Sequence, residues 1–333
     1  MLHKAEFYKS IGHKSVKCFL CGHNCVISLG QFGFCNLRKN IDGHLQTYTY
    51  AEVIASNVDP IEKKPLYHFL PGSNAFSIAT PGCNFRCDFC QNWQISQVDT
   101  LKDTPIKSVT PDKIVNQALD AGCQSIAYTY TEPTIFFEYA YDTARIAKEN
   151  GLYNLFVTNG YMSREAIDKI YPYLDGANID LKSFSDDFYK KRCKARLEPV
   201  LDAIRYMKKL GIWVEVTTLV IPGLNDSDQE LRKIADFIAT VGCEIPWHIS
   251  RFHPDYMHTD SKPTPIETLH RAAGIGRDAG LCYIYVGNIS QESPTLCCQC
   301  GHLLIKREYP AVKMSGLNGK KCEKCDTPLD GVF

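Results

Sequence analysis

The sequence predicts an α/β fold built on a parallel sheet. Short β-branched and aromatic runs alternate with longer helical patterns from residue 75 to residue 286. The stretches between the runs are long enough for crossover helices. At 333 residues the chain can hold one large domain with additions, or two domains.

The strand-like runs are residues 75–80, 125–130, 153–158, 177–182, 213–221, 247–252 and 282–286. Helical patterns occupy 111–121, 135–149, 164–171, 197–210, 227–241 and 266–279. Thr110 supplies a start signal before the first helix, and Gly122 a stop signal after it. Strands alternating with helices of this length imply βαβ units. The pattern leaves the closure of the sheet open. The division expected is an N-terminal Cys-rich metal-binding segment (1–73), a core (74–292) and a C-terminal zinc-ribbon-like module (293–333).

Lys and Arg number 37 and Asp and Glu also 37, so formal charge is zero. That gives no support to a nucleic-acid partner held by bulk electrostatics. No stretch approaches the ~20 apolar residues of a membrane span, and the first ten residues contain no apolar signal core. The expected location is the cytoplasm. Sixteen cysteines in that setting argue for metal sites over disulfides. They also suggest a reducing, anaerobic environment.

Cys83, Cys87 and Cys90 follow the first strand in a Cys-x3-Cys-x2-Cys run. Three thiolates with no fourth nearby can hold three irons of a four-iron cluster and leave one iron open. Zinc wants four ligands, usually gathered as two pairs. With Phe89 before the last cysteine, the run resembles the signature of the radical S-adenosylmethionine (SAM) superfamily. That resemblance implies a partial (β/α)6 barrel of TIM type. It implies a [4Fe-4S] cluster whose open iron chelates SAM, and reductive cleavage of SAM to a 5′-deoxyadenosyl radical that takes hydrogen from a substrate.

In such barrels functional residues lie at the carboxyl ends of strands. The resemblance makes Phe89 the ring against adenine. It places Tyr130, Thr131 and Glu132 where relatives carry Gly-Gly-Glu, with Glu132 on the SAM amino group. Asn159, in Thr158-Asn159-Gly160, and the Asp180-Leu181-Lys182 run resemble glycyl-radical-enzyme activases. There Asp180 and Lys182 would contact SAM, Lys182 through its carboxylate. Val220 would lie under the nucleoside, and His253 beside it. The plainer alternatives are a helix-terminal charge for Glu132, a structural ion pair for Asp180 and Lys182, and a satisfied polar residue for His253.

The termini narrow the resemblance. Cys18-x2-Cys21-x3-Cys25-x9-Cys35, the segment Asp59-Pro60-Ile61-Glu62-Lys63-Lys64-Pro65, and Gln91-Asn92-Trp93 together resemble the radical SAM proteins of the AmmeMemoRadiSam system. That implies Memo-like and AMMECR-like partners. An external electron donor of flavodoxin or ferredoxin type is expected as well. The N-terminal four cysteines suit a closed site for zinc, or alternatively a second iron–sulfur cluster, and His23 is a possible substitute ligand. Cys297-x2-Cys300 and Cys322-x2-Cys325 read as a zinc ribbon, with a redox dithiol as the competing reading. Gly301 and Gly319 supply its turns, and Cys298 reads as a bystander, with a ligand swap for Cys297 as the alternative. Cys123, Cys193, Cys243 and Cys282 stand singly and read as small buried residues. Tyr67, His68 and Trp93 are expected to be buried.

The leading functional expectation is a radical SAM enzyme. The alternatives are an activase acting on a glycyl-radical protein, and a non-enzymatic redox-sensing metalloprotein.

Overall fold

The computed structural model describes residues 2–98, 106–290, 292–308 and 311–333. Its centre is an eight-stranded sheet. The strands are β1 (Ala55–Pro60), β2 (Asn74–Ala79), β3 (Ser125–Tyr128), β4 (Tyr153–Thr158), β5 (Gly176–Asp180), β6 (Trp213–Val220), β7 (Trp247–Arg251) and β8 (Ile284–Gly287). Spatial order repeats chain order from β8 to β1. Every neighbouring pair is parallel except β1 with β2, which pairs Ala55 with Ala79 and Pro60 with Asn74. The sheet is therefore mixed, and among the described residues its edges β1 and β8 do not pair.

The parallel strands are buried on both faces, as an apolar run predicts. Ser125, Ile126, Ala127 and Tyr128 of β3 are all inaccessible to solvent. All seven expected runs form strands. The eighth strand, β1, falls in a polar segment that carries no strand pattern. Its residues are mostly half-buried or exposed, and Pro60 ends it, which suits a sheet edge.

The six longest helices among the described residues connect the strands: α1 (Pro111–Asp120), α2 (Phe137–Glu149), α3 (Arg164–Ile170), α4 (Glu198–Lys209), α5 (Asp228–Val241) and α6 (Ile266–Asp278). Each packs one face. In α4 that face is Val200, Leu201, Ala203, Ile204 and Met207. Ser163 and Ser227 cap α3 and α5 by accepting from the amides of Ala166 and Glu230. Thr110 stands at the N-cap of α1 without a side-chain bond, and Pro111 takes the first helical position, where its fixed φ suits the helix and no N–H is needed. The pattern from 135 opens as a 3-10 turn, Pro133–Phe136, before α2.

The N-terminal segment forms two small antiparallel sheets. It docks through Arg38, whose Nη2 reaches both Glu138 carboxylate oxygens on α2 at 2.7 and 2.6 Å, with both side chains buried. After β8 the chain makes a set of short hairpins, and residue 332 returns to Phe69. The Val332 amide donates to His68 O at 2.8 Å, and Leu70 donates to Val332 O at 2.7 Å. No helix among the described residues is long and apolar enough to cross a membrane.

Candidate active site

The carboxyl ends of β2 to β7 open on one cavity of about 610 Å³. The loop after β2 lays Cys83, Cys87 and Cys90 on its wall. Arg86 braces that loop, donating from Nη1 to the carbonyls of Cys83 at 2.7 Å and Phe85 at 2.9 Å. The Phe85 amide points at Cys83 Sγ, 3.3 Å away. Burial lifts the thiols of Cys83 and Cys90 above their ordinary range. Cys87 is lifted first by a hydrogen bond with Cys193, then by burial. A bound cation reverses such shifts by stabilising the thiolates.

At the end of β3, Tyr130 has φ +61°, a left-handed conformation that glycine normally occupies. The backbone here thus keeps a glycine conformation with a tyrosine. Its side chain is held from the upstream segment. The hydroxyl donates to Asp59 Oδ2, and Lys64 Nζ sits 4.2 Å from the ring centroid. Lys64 in turn donates to Asp59 Oδ2 at 2.6 Å, with both side chains buried. Asn92 Nδ2 fixes the Tyr130 carbonyl at 2.8 Å.

Glu132 is 1% exposed. Its Oε1 accepts from the amide and hydroxyl of Thr134 and the hydroxyl of Thr158. Its Oε2 accepts one bond, from the Asn159 amide at 2.8 Å. Burial raises this carboxyl, and those bonds pull the other way. Glu132 therefore does cap the turn that follows it, while Oε2 keeps acceptor capacity on the cavity side. Asn159 Nδ2 donates to Asn84 Oδ1 at 2.7 Å and lies 3.7 Å from Cys83 Sγ.

Asp180 and Lys182 both line the cavity, and Lys182 Nζ donates to Asp180 Oδ2 at 2.8 Å. Burial works against the Lys182 ammonium, but Asp180, Cys87 and Cys193 outweigh it and hold its pKa well above the usual lysine value. Phe89 and Thr131 also lie on the wall.

Val220 and His253 are the two expected nucleoside contacts that do not line the cavity. Side chains alternate along a strand, so Thr217 and Leu219 face inward while Val220 is fully buried behind them. His253 stands outside, where its Nδ1 meets Gln91 Nε2 at 3.0 Å. The sequence reading missed Thr217, which the period of two within β6 would have found. It also missed Lys63 and Lys64 on the wall, having read their segment as a family marker. Cys193, expected to be a lone core residue, lies against Cys87. Tyr67 and His68 are packed away from the cavity, against Tyr285. Trp93 donates to Asp255 Oδ1 and stacks on Tyr256.

The C-terminal four cysteines converge. The ligand atoms of Cys297, Cys300, Cys322 and Cys325 all lie within 4.8 Å of one another. Cys297 to Cys325 is 3.5 Å, and Cys300 to Cys322 is 3.7 Å. Gly301 and Gly319 take the positive φ that the turns require. Hydrogen bonds from Thr327 hold the Cys325 thiol down at about 6. Cys298 points elsewhere, to Cys282. Cys243 joins that pair, so Cys243 and Cys282 are neighbours and not single cysteines. Cys18, Cys21, Cys25 and Cys35 line a separate cavity. His23 turns its Nε2 to Asn84 O, 2.7 Å away.

Comparison with known proteins agrees with this geometry. Residues 77–238 match the model of the Radical SAM superfamily. The chain thus carries a Radical SAM domain, and that superfamily's members are enzymes whose chemistry implies a [4Fe-4S] cluster and SAM. It is 46% identical over 337 residues, the full length of both chains, to "Uncharacterized protein MJ0808" of Methanocaldococcus jannaschii, and the two belong to one family. Pyruvate formate-lyase 1-activating enzyme of Escherichia coli is 22% identical over 208 residues, 58% of this chain and 85% of that protein. A radical SAM methyltransferase from Sphaerobacter thermophilus shares the fold, with TM-score 0.52 and 20% identity over 71% of each chain.

Proposed function

We propose that the protein cleaves SAM reductively and uses the resulting 5′-deoxyadenosyl radical to take a hydrogen atom from a substrate. The observation that carries this is the meeting of the three cysteines with Glu132, Asn159, Asp180 and Lys182 on one wall. The donor set fits the cofactor: three thiols line the cavity while Cys193, behind Cys87, is not on its wall, which would leave one iron for SAM. When bound, the cluster supplies one electron to the sulfonium and methionine departs.

The chain's own residues bind and orient. Cys83, Cys87 and Cys90 hold the irons. Glu132 Oε2 takes the SAM ammonium, and Lys182 takes its carboxylate while Asp180 keeps the lysine charged. Phe89 offers an apolar face to adenine. The left-handed turn at Tyr130, set by Asp59 and Lys64, aims the backbone that borders the amino acid end.

This reading takes the sheet as a partial (β/α)6 barrel, and the tail as a zinc ribbon with a structural ion. The tail sulfur spacings support it, because a metal–sulfur length of ~2.3 Å gives tetrahedral edges of about 3.8 Å. Memo-like and AMMECR-like proteins are candidate partners, and a flavodoxin- or ferredoxin-type protein is the candidate reductant. The test is Cys87→Ala, reconstituted anaerobically and reduced with dithionite. Deoxyadenosine formation should vanish while the tail metal stays. If the variant still made deoxyadenosine, the assignment of the triplet would fail.

A further inference from the structure

We propose that Cys18, Cys21, Cys25 and Cys35 hold a second four-iron cluster, and not zinc. Sulfur spacing is the first argument. Among the described residues, the tail cysteines are the one group of three or more His, Cys, Asp or Glu whose ligand atoms all lie within 4.8 Å of one another. No three of the N-terminal sulfurs meet that limit, and neither do the three sulfurs of the active-site triplet. A zinc ion draws its sulfurs to about 3.8 Å apart. A four-iron cubane spreads its cysteine sulfurs to roughly 6 Å. The N-terminal four thus resemble the triplet and differ from the ribbon in the same chain.

The cavity is the second argument. The four cysteines line one space together with Arg38 and Asn84. Those two residues are each 1% exposed. Yet Arg38 Nε and Asn84 Nδ2 have no hydrogen-bond partner. A buried N–H without a partner keeps its full desolvation penalty, so two on one cavity call for an acceptor inside it. The sulfides of a cubane are such acceptors, in addition to the thiolates. A zinc ion adds no acceptor of its own.

Four protein thiolates close every iron, so this cluster would not bind SAM. It would stand one residue from the triplet, because Asn84 lines its cavity and accepts from Asn159 beside Cys83.

The comparison with the triplet rests on the function proposed above, and the experiment separates the two. The full-length chain is reconstituted anaerobically with ferrous iron and sulfide, then assayed for iron, sulfide and zinc. The wild type should hold about eight irons and eight sulfides, with about one zinc. The Cys83→Ala/Cys87→Ala/Cys90→Ala variant should keep half of that iron. Its reduced electron-paramagnetic-resonance signal should ignore added SAM. The Cys21→Ser/Cys35→Ser variant should also lose half the iron, and its remaining signal should still change with SAM. A wild type with about four irons and two zincs, or a triple variant without iron, overturns the second cluster and leaves the triplet untouched. A wild-type spectrum indifferent to SAM, with about eight irons present, overturns the proposed function and leaves the second cluster standing.

Discussion

Replacing Asp59 by Asn tests the link between the upstream segment and the left-handed turn at Tyr130. Asp59 and Lys64 form an ion pair whose side chains are 5% and 1% exposed. Removing one charge from a buried pair costs about 3–5 kcal/mol, because the other stays desolvated and uncompensated. Lys63 also pairs with Asp59, but its side chain is 65% exposed and adds little. Asparagine keeps one acceptor oxygen, so the lower end applies, about 3 kcal/mol. For a chain of this size that corresponds to a melting shift of about 4 °C. Thermal melting of the metal-loaded protein at pH 7 reads it. Adding Lys64→Met removes the stranded charge and should recover most of the loss.

The pH profile gives an independent reading. Burial pushes the Asp59 carboxyl up, but bonds from Lys64, Tyr130 and Lys63 outweigh it and hold it well below the usual range. A depressed carboxyl stabilises the fold above its unfolded value near pH 4 and loses that contribution as pH falls below it. The gap between wild type and variant should therefore narrow below about pH 4. A variant melting within about 2 °C of wild type, or a double variant worse than the single one, refutes the reasoning.

Lys182→Met should raise the SAM dissociation constant roughly 10- to 100-fold by calorimetry, since a hydrogen bond to a charged group contributes about 1.5–3 kcal/mol. His68 is buried between Asp330 O and Tyr285, and burial lowers its pKa from 6.5 to about 4. Its neutral form is the folded one, so stability should fall by about 3 kcal/mol as pH drops from 6.5 towards 4; denaturant curves of His68→Gln should be flatter across that window. Tyr130→Phe loses the bond to Asp59 and should destabilise by about 1–2 kcal/mol with cluster content unchanged. Cys322→Ser should release about one metal ion per chain from the tail, measured by a zinc-sensitive dye, while iron content holds.

Local pattern made the sheet legible. β3 and β4 lie at the centre of a parallel sheet, so their apolar runs show in the chain. β1 did not show, because an antiparallel edge half open to solvent needs no continuous apolar run. The triplet was readable from spacing alone. Most strand-end residues were readable once the register of each strand was right, and the one-residue difference between Leu219 and Val220 shows how sensitive that is. What no local signal carried was contact at a distance. Arg38 meets Glu138 one hundred residues on, Asp59 meets Tyr130, and Cys193 meets Cys87. Each needs the folded topology to bring two segments together.

The match of strand position to chain order has a consequence for biosynthesis. Synthesis delivers the chain from its amino end, and domains form in that direction as they emerge. Here each new βα unit finds its partner at the growing edge, already built by the unit before it. No strand must wait for a later one to be inserted at its side, and no long loop must close before pairing begins. One exception is the cysteine-bearing front segment, whose anchor at Glu138 reaches the ribosome exit well after Arg38. That segment has to stay uncommitted, thiols unprotected, until α2 appears.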